Sequence, residues 1–256
     1  MLTRIAAVAL NSYRESVRDR IFYAAALFGL ILVGSSALLS PLTIGAQNKI
    51  VADVGLASLT LFGLVVVVFL GSGMVRKEME KQTLATILAK PVHRREYLLG
   101  KYCGLALTLL LTLAVMAGIF LLVNLTATGS LPGRFFAAFY LAFLELLVIN
   151  AGVLLFSTFV SPILSALLGM AFFAIGHLSQ DILKFSDILG TDMQSRVFQV
   201  IYYVLPNLEV FNVRGAVVHG QSVAAAHLGW ATLYALGYAA LLIVVAGAVF
   251  TRKELR

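Results

Sequence analysis

The sequence predicts an all-α integral membrane protein with six transmembrane helices, and three observations carry that prediction. Hydrophobic residues make up 61% of the 256, and charged residues 12%, against about 45–50% and about 25% in soluble domains. That is too little charge to coat a soluble domain of this size and too much apolar content for a disordered chain. The apolar residues also fall in blocks of roughly twenty, the length a helix needs to cross about 30 Å of hydrocarbon. A transmembrane β-barrel would instead show alternation. Finally, Lys and Arg gather beside some blocks and avoid others, the asymmetry that orients a helical membrane protein.

Taken in order, residues 1–20 read as an amphipathic interfacial helix. Ile5, Ala9, Tyr13 and Val17 recur every four residues, while Arg4, Arg14 and Arg18 lie off that face, the pattern of a helix lying in a membrane interface. A basic flank that only sets topology is the plainer alternative. Arg4 is followed by a short apolar stretch, Ile5 to Leu10, below the roughly 7–15 residues of a signal-peptide core, so a cleaved leader is not expected.

The spans are Ile21–Ser40, Gly55–Met74, Tyr102–Val123, Phe135–Phe159, Pro162–Leu178 and Gly229–Phe250, in a single membrane domain over residues 1–256. Charges or turn residues bound each one: Arg18-Asp19-Arg20 before the first, Pro41 after it, Arg76-Lys77-Glu78 after the second. Ser161-Pro162 makes a tight joint, with Pro162 at a first-turn position that tolerates it. With the N-terminus cytoplasmic, 14 of the 19 basic residues fall in the inside segments 1–20, 75–101 and 251–256, and 5 outside. The opposite orientation inverts that ratio, so both termini are expected inside. The formal charge of +7 is then a membrane-surface property, and no nucleic-acid partner is called for.

The outer segment 179–228 is too long for a plain connector. Within it Ser195–Leu205 (SRVFQVIYYVL) is apolar and aromatic but too short to span, which suits a re-entrant or interfacial helix with Tyr202 and Tyr203 at headgroup depth.

Residues 75–101 form the largest inside loop. Glu78 and Glu80 sit where a helix N-terminus favours negative charge, Lys90 where its C-terminus favours positive charge, and Pro91 stops it. Leu84, Ile87 and Leu88 make an apolar patch on that helix, and a second helix starts near Arg94 and runs into the third span. The patch either packs on the chain's own helices or is covered by another protein. Glu145 lies near the middle of the fourth span with Asn150 five residues on. A mid-bilayer carboxylate must face other helices or water: it lines a substrate or proton path, or it is a neutral acid hydrogen-bonded to a neighbouring helix. Gly100 and Gly104, like the glycines of the second span, permit close helix crossings.

Several chemistries are absent. No phosphate-binding loop occurs, because the one Gly-Lys pair, Gly100-Lys101, is followed by Tyr102. His93, His177, His219 and His227 lack metal-ligand spacing, and Cys103 stands alone. Ser72 lies between two glycines, but Leu70 stands where an intramembrane serine protease needs a third, and no base is evident. The chain is therefore not expected to be an enzyme.

The run Arg76-Lys77-Glu78-Met79-Glu80-Lys81-Gln82-Thr83, continuing through Leu88-Ala89-Lys90-Pro91-Val92-His93-Arg94-Arg95 to Gly100-Lys101, resembles the loop after the second span of ABC-2-type exporter permeases. Gln82 stands where many relatives have Gly, and His93 where many have Ser or Thr. Leu205-Pro206-Asn207-Leu208-Glu209-Val210-Phe211-Asn212 resembles the Pro-containing segment before their sixth span. The Asn11-Ser12-Tyr13-Arg14-Glu15 and Phe250-Thr251-Arg252-Lys253-Glu254-Leu255 stretches fit best the branch that includes the permease of nitrous-oxide-reductase maturation.

The resemblance implies a half-transporter in a bacterial cytoplasmic (inner) membrane. Two six-span permease copies pair, identical or related, and each docks a separate cytosolic ABC ATPase that holds ATP and Mg; this chain binds no cofactor and no metal. Glu78, Glu80, Thr83, Leu84, Ile87, Leu88, Lys90, Pro91, Arg94 and Arg95 would form the docking, or coupling, helix, and Glu145 and Asn150 the substrate path. Two other classes stand beside it: a proton-coupled secondary carrier using Glu145, and a membrane anchor that recruits a cytosolic partner without transport. The substrate is not legible.

Overall fold

The computed structural model describes residues 2–20, 22–23, 26–27, 29–31, 34, 47–74, 93–129, 132–189 and 205–252. Its helices are α1 (Leu2–Arg18), α2 (Gln47–Ser72), α3 (Arg94–Thr128), α4 (Arg134–Ser157), α5 (Pro162–Leu189), α6 (Arg214–Val218) and α7 (Ala225–Arg252), with a 3-10 turn at Leu208–Phe211. Among the described residues, five helices are long and apolar enough to cross a membrane: α2, α3, α4, α5 and α7. The expected first span, Ile21–Ser40, is only partly described. Its described residues are helical, and Phe22 and Ala26 pack on the core of the bundle. The expected helices at Glu78–Lys90 and in Ser195–Leu205 lie outside the described residues, apart from Leu205.

Each expected span that is described appears; the second, third, fifth and sixth are longer than expected, while the second and fourth stop two residues early, at Ser72 and Ser157. The helix behind the third begins at Arg94, not Tyr102, as the loop reading anticipated. Its start is built locally: the His93 backbone N–H donates to the Glu96 carboxylate at 3.1 Å, which satisfies an otherwise orphaned donor of the first turn. It ends at Gly129, whose φ of 68° closes the last turn through a bond from its N–H to the Leu125 carbonyl. Similarly, α5 runs on to Leu189, past the apolar limit at Leu178. Apolar content marks only the lipid-matched part of a helix, and the backbone continues while nothing breaks it.

The core sits between α2 and α4. Buried residues make up 67% of the apolar window of α2 and 61% of that of α4, against 33% for α3 and 28% for α5 and α7. The outer helices therefore turn large apolar side chains outward: Leu110 and Val115 on α3, Ile163 and Leu167 on α5, Leu233 and Val244 on α7. Water would not tolerate belts of that extent; lipid or partner helices do.

The N-terminal helix is present, but its inward face differs from the expected stripe. Ala9, Ser12 and Ser16 are buried, whereas Ile5, Tyr13 and Val17 are half-buried. The reason lies on α3. A Cβ on Gly100 would meet Val8 at 2.5 Å, and one on Gly104 would meet the Ala9 carbonyl oxygen at 2.6 Å. The two glycines clear a seat that only small residues fill, so α1 packs along the first turns of α3 with Ala9 and Ser12 innermost. A pattern of large apolar residues could not show that face.

Candidate functional site

Two clusters of polar side chains are built into the bundle. The first lies at the end where α1, the start of α3 and the end of α7 meet, called here the basic end. Arg94 Nη1 donates to the carbonyls of Phe250 at 3.0 Å and Thr251 at 3.2 Å, supplying donors to the last turn of α7. Tyr97 stacks on Phe250 at 6.1 Å. Glu96 caps its own helix and faces Arg4 at 4.0 Å. Lys101, 1% exposed, reaches the carboxylate of Glu15 at 3.3 Å and lies over the Tyr97 ring. The segment Arg94–Lys101 thus ties α1 and the end of α7 to α3.

The second cluster centres on Glu145, 3% exposed and midway along α4. His177 on α5 is its partner, with Nε2 at 2.9 Å from Glu145 Oε1. The other imidazole nitrogen, Nδ1, lies 3.2 Å from Glu209 Oε2 on the 3-10 turn. Asn212 Nδ2 donates to the remaining oxygen of Glu209 at 2.9 Å. Glu145, His177 and Glu209 therefore form a chain whose side-chain exposure rises from 4% to 24% to 34%, leading from the bundle interior towards its surface.

Local sequence explains how three distant residues meet. The tight turn between α4 and α5 sets those helices side by side, and the Ser165 hydroxyl donates to the Val153 carbonyl near that joint. Gly176 opens a gap next to His177: a Cβ there would meet Leu208 Cγ at 2.6 Å and the Pro206 carbonyl at 3.1 Å. The 3-10 turn settles into that gap. The Asn207 side chain accepts from the Glu209 N–H at 3.1 Å, and the Asn207 N–H donates to the Tyr234 hydroxyl on α7 at 2.8 Å. Leu208 and Phe211 are buried, which leaves Glu209 pointing at His177. Among the described residues, Arg214 pairs with Asp53 of α2 at 2.9 Å.

Beside this chain lies a cavity of about 290 Å³. Thr60 of α2, Phe139 and Glu145 of α4, Phe173 and His177 of α5, and Phe211 line it, with Arg214 at its edge. The ring of Phe173 meets that of His177 edge-on at 4.6 Å.

The expected site residues fall in different places. Glu145 lines the cavity. Asn150 does not: its Nδ2 donates to the Tyr102 carbonyl at 3.2 Å, and the Tyr102 hydroxyl returns a bond to the Leu147 carbonyl at 3.3 Å, a lock between α3 and α4. Arg94 is engaged with the end of α7, whereas Arg95 is exposed beside a groove between α3 and α7. Glu78, Glu80, Thr83, Leu84, Ile87, Leu88, Lys90 and Pro91 lie outside the described residues. Ser72 donates to the Phe69 carbonyl at 3.4 Å. Among the described residues no three His, Cys, Asp or Glu side chains form a metal-binding group.

His177 and Glu209 escaped the sequence reading. His177 sits 32 residues from each partner, so spacing gave no hint. The usable signal was thermodynamic: ionisable groups in neighbouring spans pair with each other, and the fourth and fifth spans carry one apiece.

Comparison with protein families decides the class, for the profile of the ABC-2 family transporter protein matches residues 6–255. The chain belongs to the ABC-2 family of transporter proteins. A comparison with curated proteins finds no match. As an ABC-2 protein it is a multi-pass membrane permease component of an ABC transporter. Such components carry transport and are generally not catalytic, in keeping with a sequence that has no phosphate-binding loop. The resemblance carried by four short motifs is thus joined by a family match over residues 6–255.

Proposed function

We propose that this protein is the permease subunit of an ATP-driven exporter in a bacterial inner membrane. Both termini are cytoplasmic, two permease chains pair, and each engages a separate ATPase through the loop 75–101. The observation that carries this reading is the clamp at the basic end. Arg94–Lys101, the second half of the family-like loop motif, holds α1 through Gly100 and Lys101, and holds α7 through Arg94 and Tyr97. A push on the loop therefore moves three elements together, which is what coupling ATP closure to alternating access needs. The cavity beside Glu145 is the part of the substrate path that this chain contributes. The N-terminal and closing motifs support a place in the branch that includes the nitrous-oxide-reductase maturation permease.

The test is co-purification. Replacing Leu84, Ile87 and Leu88 together by Ser should abolish recovery of the cognate ATPase while the permease still folds and inserts. Undiminished recovery overturns the docking reading.

A proton-coupled carrier is the second reading, and one observation favours it: Glu145 is not an isolated acid but the inner member of a chain with His177 and Glu209. Flux in proteoliposomes separates the two. Flux that ignores ATP and disappears in Glu145→Gln supports the carrier; flux that requires the ATPase supports the exporter. A non-transporting anchor is excluded by either result.

A further inference from the structure

The geometry points to a binding site for a small organic ammonium cation in the cavity walled by α2, α4, α5 and the Leu208–Phe211 turn. The proposal deepens the reading of Glu145 as part of the substrate path by naming the chemistry of what the site accepts.

Charge comes first. Two hydrogen bonds flank His177, and each needs one proton; in the state without a third proton, Glu145, His177 and Glu209 together hold two. Two carboxylates and one imidazole with two protons carry a single negative charge. That charge sits in a low-dielectric bundle, where an unbalanced charge is costly. The nearest cation on the cavity wall, Arg214, is paired with Asp53. Glu145 is hydrogen-bonded to His177 through Oε1; among the described residues its other oxygen has no partner, while the residue is 3% exposed and lines the void. An acceptor facing a cavity is a place for a donor.

The walls select the rest of the ligand. Phe139, Phe173 and Phe211 line the same cavity as the carboxylate, and aromatic faces attract ammonium groups through their quadrupole as well as apolar bodies through contact. A hard metal ion is poorly served, because it needs about six to eight oxygen ligands and the side-chain oxygens on the cavity wall belong to Glu145, Thr60 and Asn212. An ammonium with an apolar body needs only two or three acceptors and matches the remaining surface. At about 290 Å³ the space is at the lower end of small-ligand pockets, roughly 300–1,000 Å³, so the ligand is small.

The experiment uses the full chain in lipid nanodiscs without any ATPase, titrated calorimetrically with 2-phenylethylammonium chloride and, in parallel, with the neutral 2-phenylethanol. The cation should bind about tenfold or more tightly than the alcohol. Glu145→Gln should weaken it by a similar factor, and Phe139→Leu by several-fold. Asn150→Ala, on the same helix but outside the cavity, should bind as the parent does. Equal affinity for the alcohol overturns the proposal, as does displacement by an equal concentration of sodium or potassium ions. Should Glu145→Gln fail to fold, Phe139→Leu and the neutral analogue still decide: parent-like binding in the former overturns the site. Because no ATPase is present, undiminished ATPase recovery after the Leu84, Ile87 and Leu88 replacement refutes the exporter reading alone. Absent amine binding, with that replacement abolishing recovery as expected, refutes this proposal alone.

Discussion

At the basic end, Arg94, Glu96 and Lys101 direct their polar atoms at the protein itself: at α7 carbonyls, at the first turn of α3, at Glu15. Around Glu145 the polar atoms also pair, but along the wall of a void, and one carboxylate oxygen of the innermost acid is left facing it. The first arrangement consists of ties between helices. The second is a chain of hydrogen bonds with one acceptor spare. Charge near a membrane thus serves two ends in one molecule, and what separates them is whether every acceptor has found a donor within the fold.

The contrast can be broken most forcefully at the basic end. Gly104→Leu should drive α1 off its seat, costing about 1–3 kcal/mol or more, whereas Gly118→Leu, which meets nothing within 4 Å, should leave the unfolding midpoint in detergent unchanged. A parent-like midpoint for Gly104→Leu would show that α1 is not held by that crossing. Next comes His177→Ala, which strands Glu145 and should destabilise by about 1–3 kcal/mol. In the double variant with Glu145→Leu the loss should be less than the sum of the two, because the stranded acid is gone; strict additivity in thermal unfolding would dissolve the chain into unrelated contacts. Asn150→Ala removes one bond between α3 and α4 and should cost about 0.6 kcal/mol, the average for such bonds between membrane helices, with no change in flux if the residue only locks helices. Smallest is Arg214→Gln. Its pair with Asp53 is roughly half exposed on both sides, so at most about 1 kcal/mol is expected, shrinking as salt is raised.

Span positions were legible because the cost of placing polar backbone and charge in hydrocarbon leaves a mark on composition itself: α2, α3, α4, α5 and α7 cover every expected span outside Ile21–Ser40. The joint at Ser161-Pro162 and the helix beginning at Arg94 were likewise written in local residues. Glu145 could be flagged for the same energetic reason. Its partners could not, since His177 and Glu209 reach it through tertiary packing at Gly176, and a glycine declares only that something approaches, never what. The seat of α1 was legible only at Ala9: Ser12 and Ser16 are small and polar and do not register in an apolar pattern, yet small size is what the contact requires.

One dimension of α3 has a mechanical corollary. Its 35 uninterrupted residues make a rod of about 52 Å at 1.5 Å per residue, well over the thickness of about 30 Å that it must traverse. A rod of that length has no joint at which to absorb a displacement. Movement imposed where α1 rides on its first turns must arrive at Gly129 as tilt or translation of the whole, so that a sub-ångström shift at one face of the bilayer is felt, as leverage, at the other.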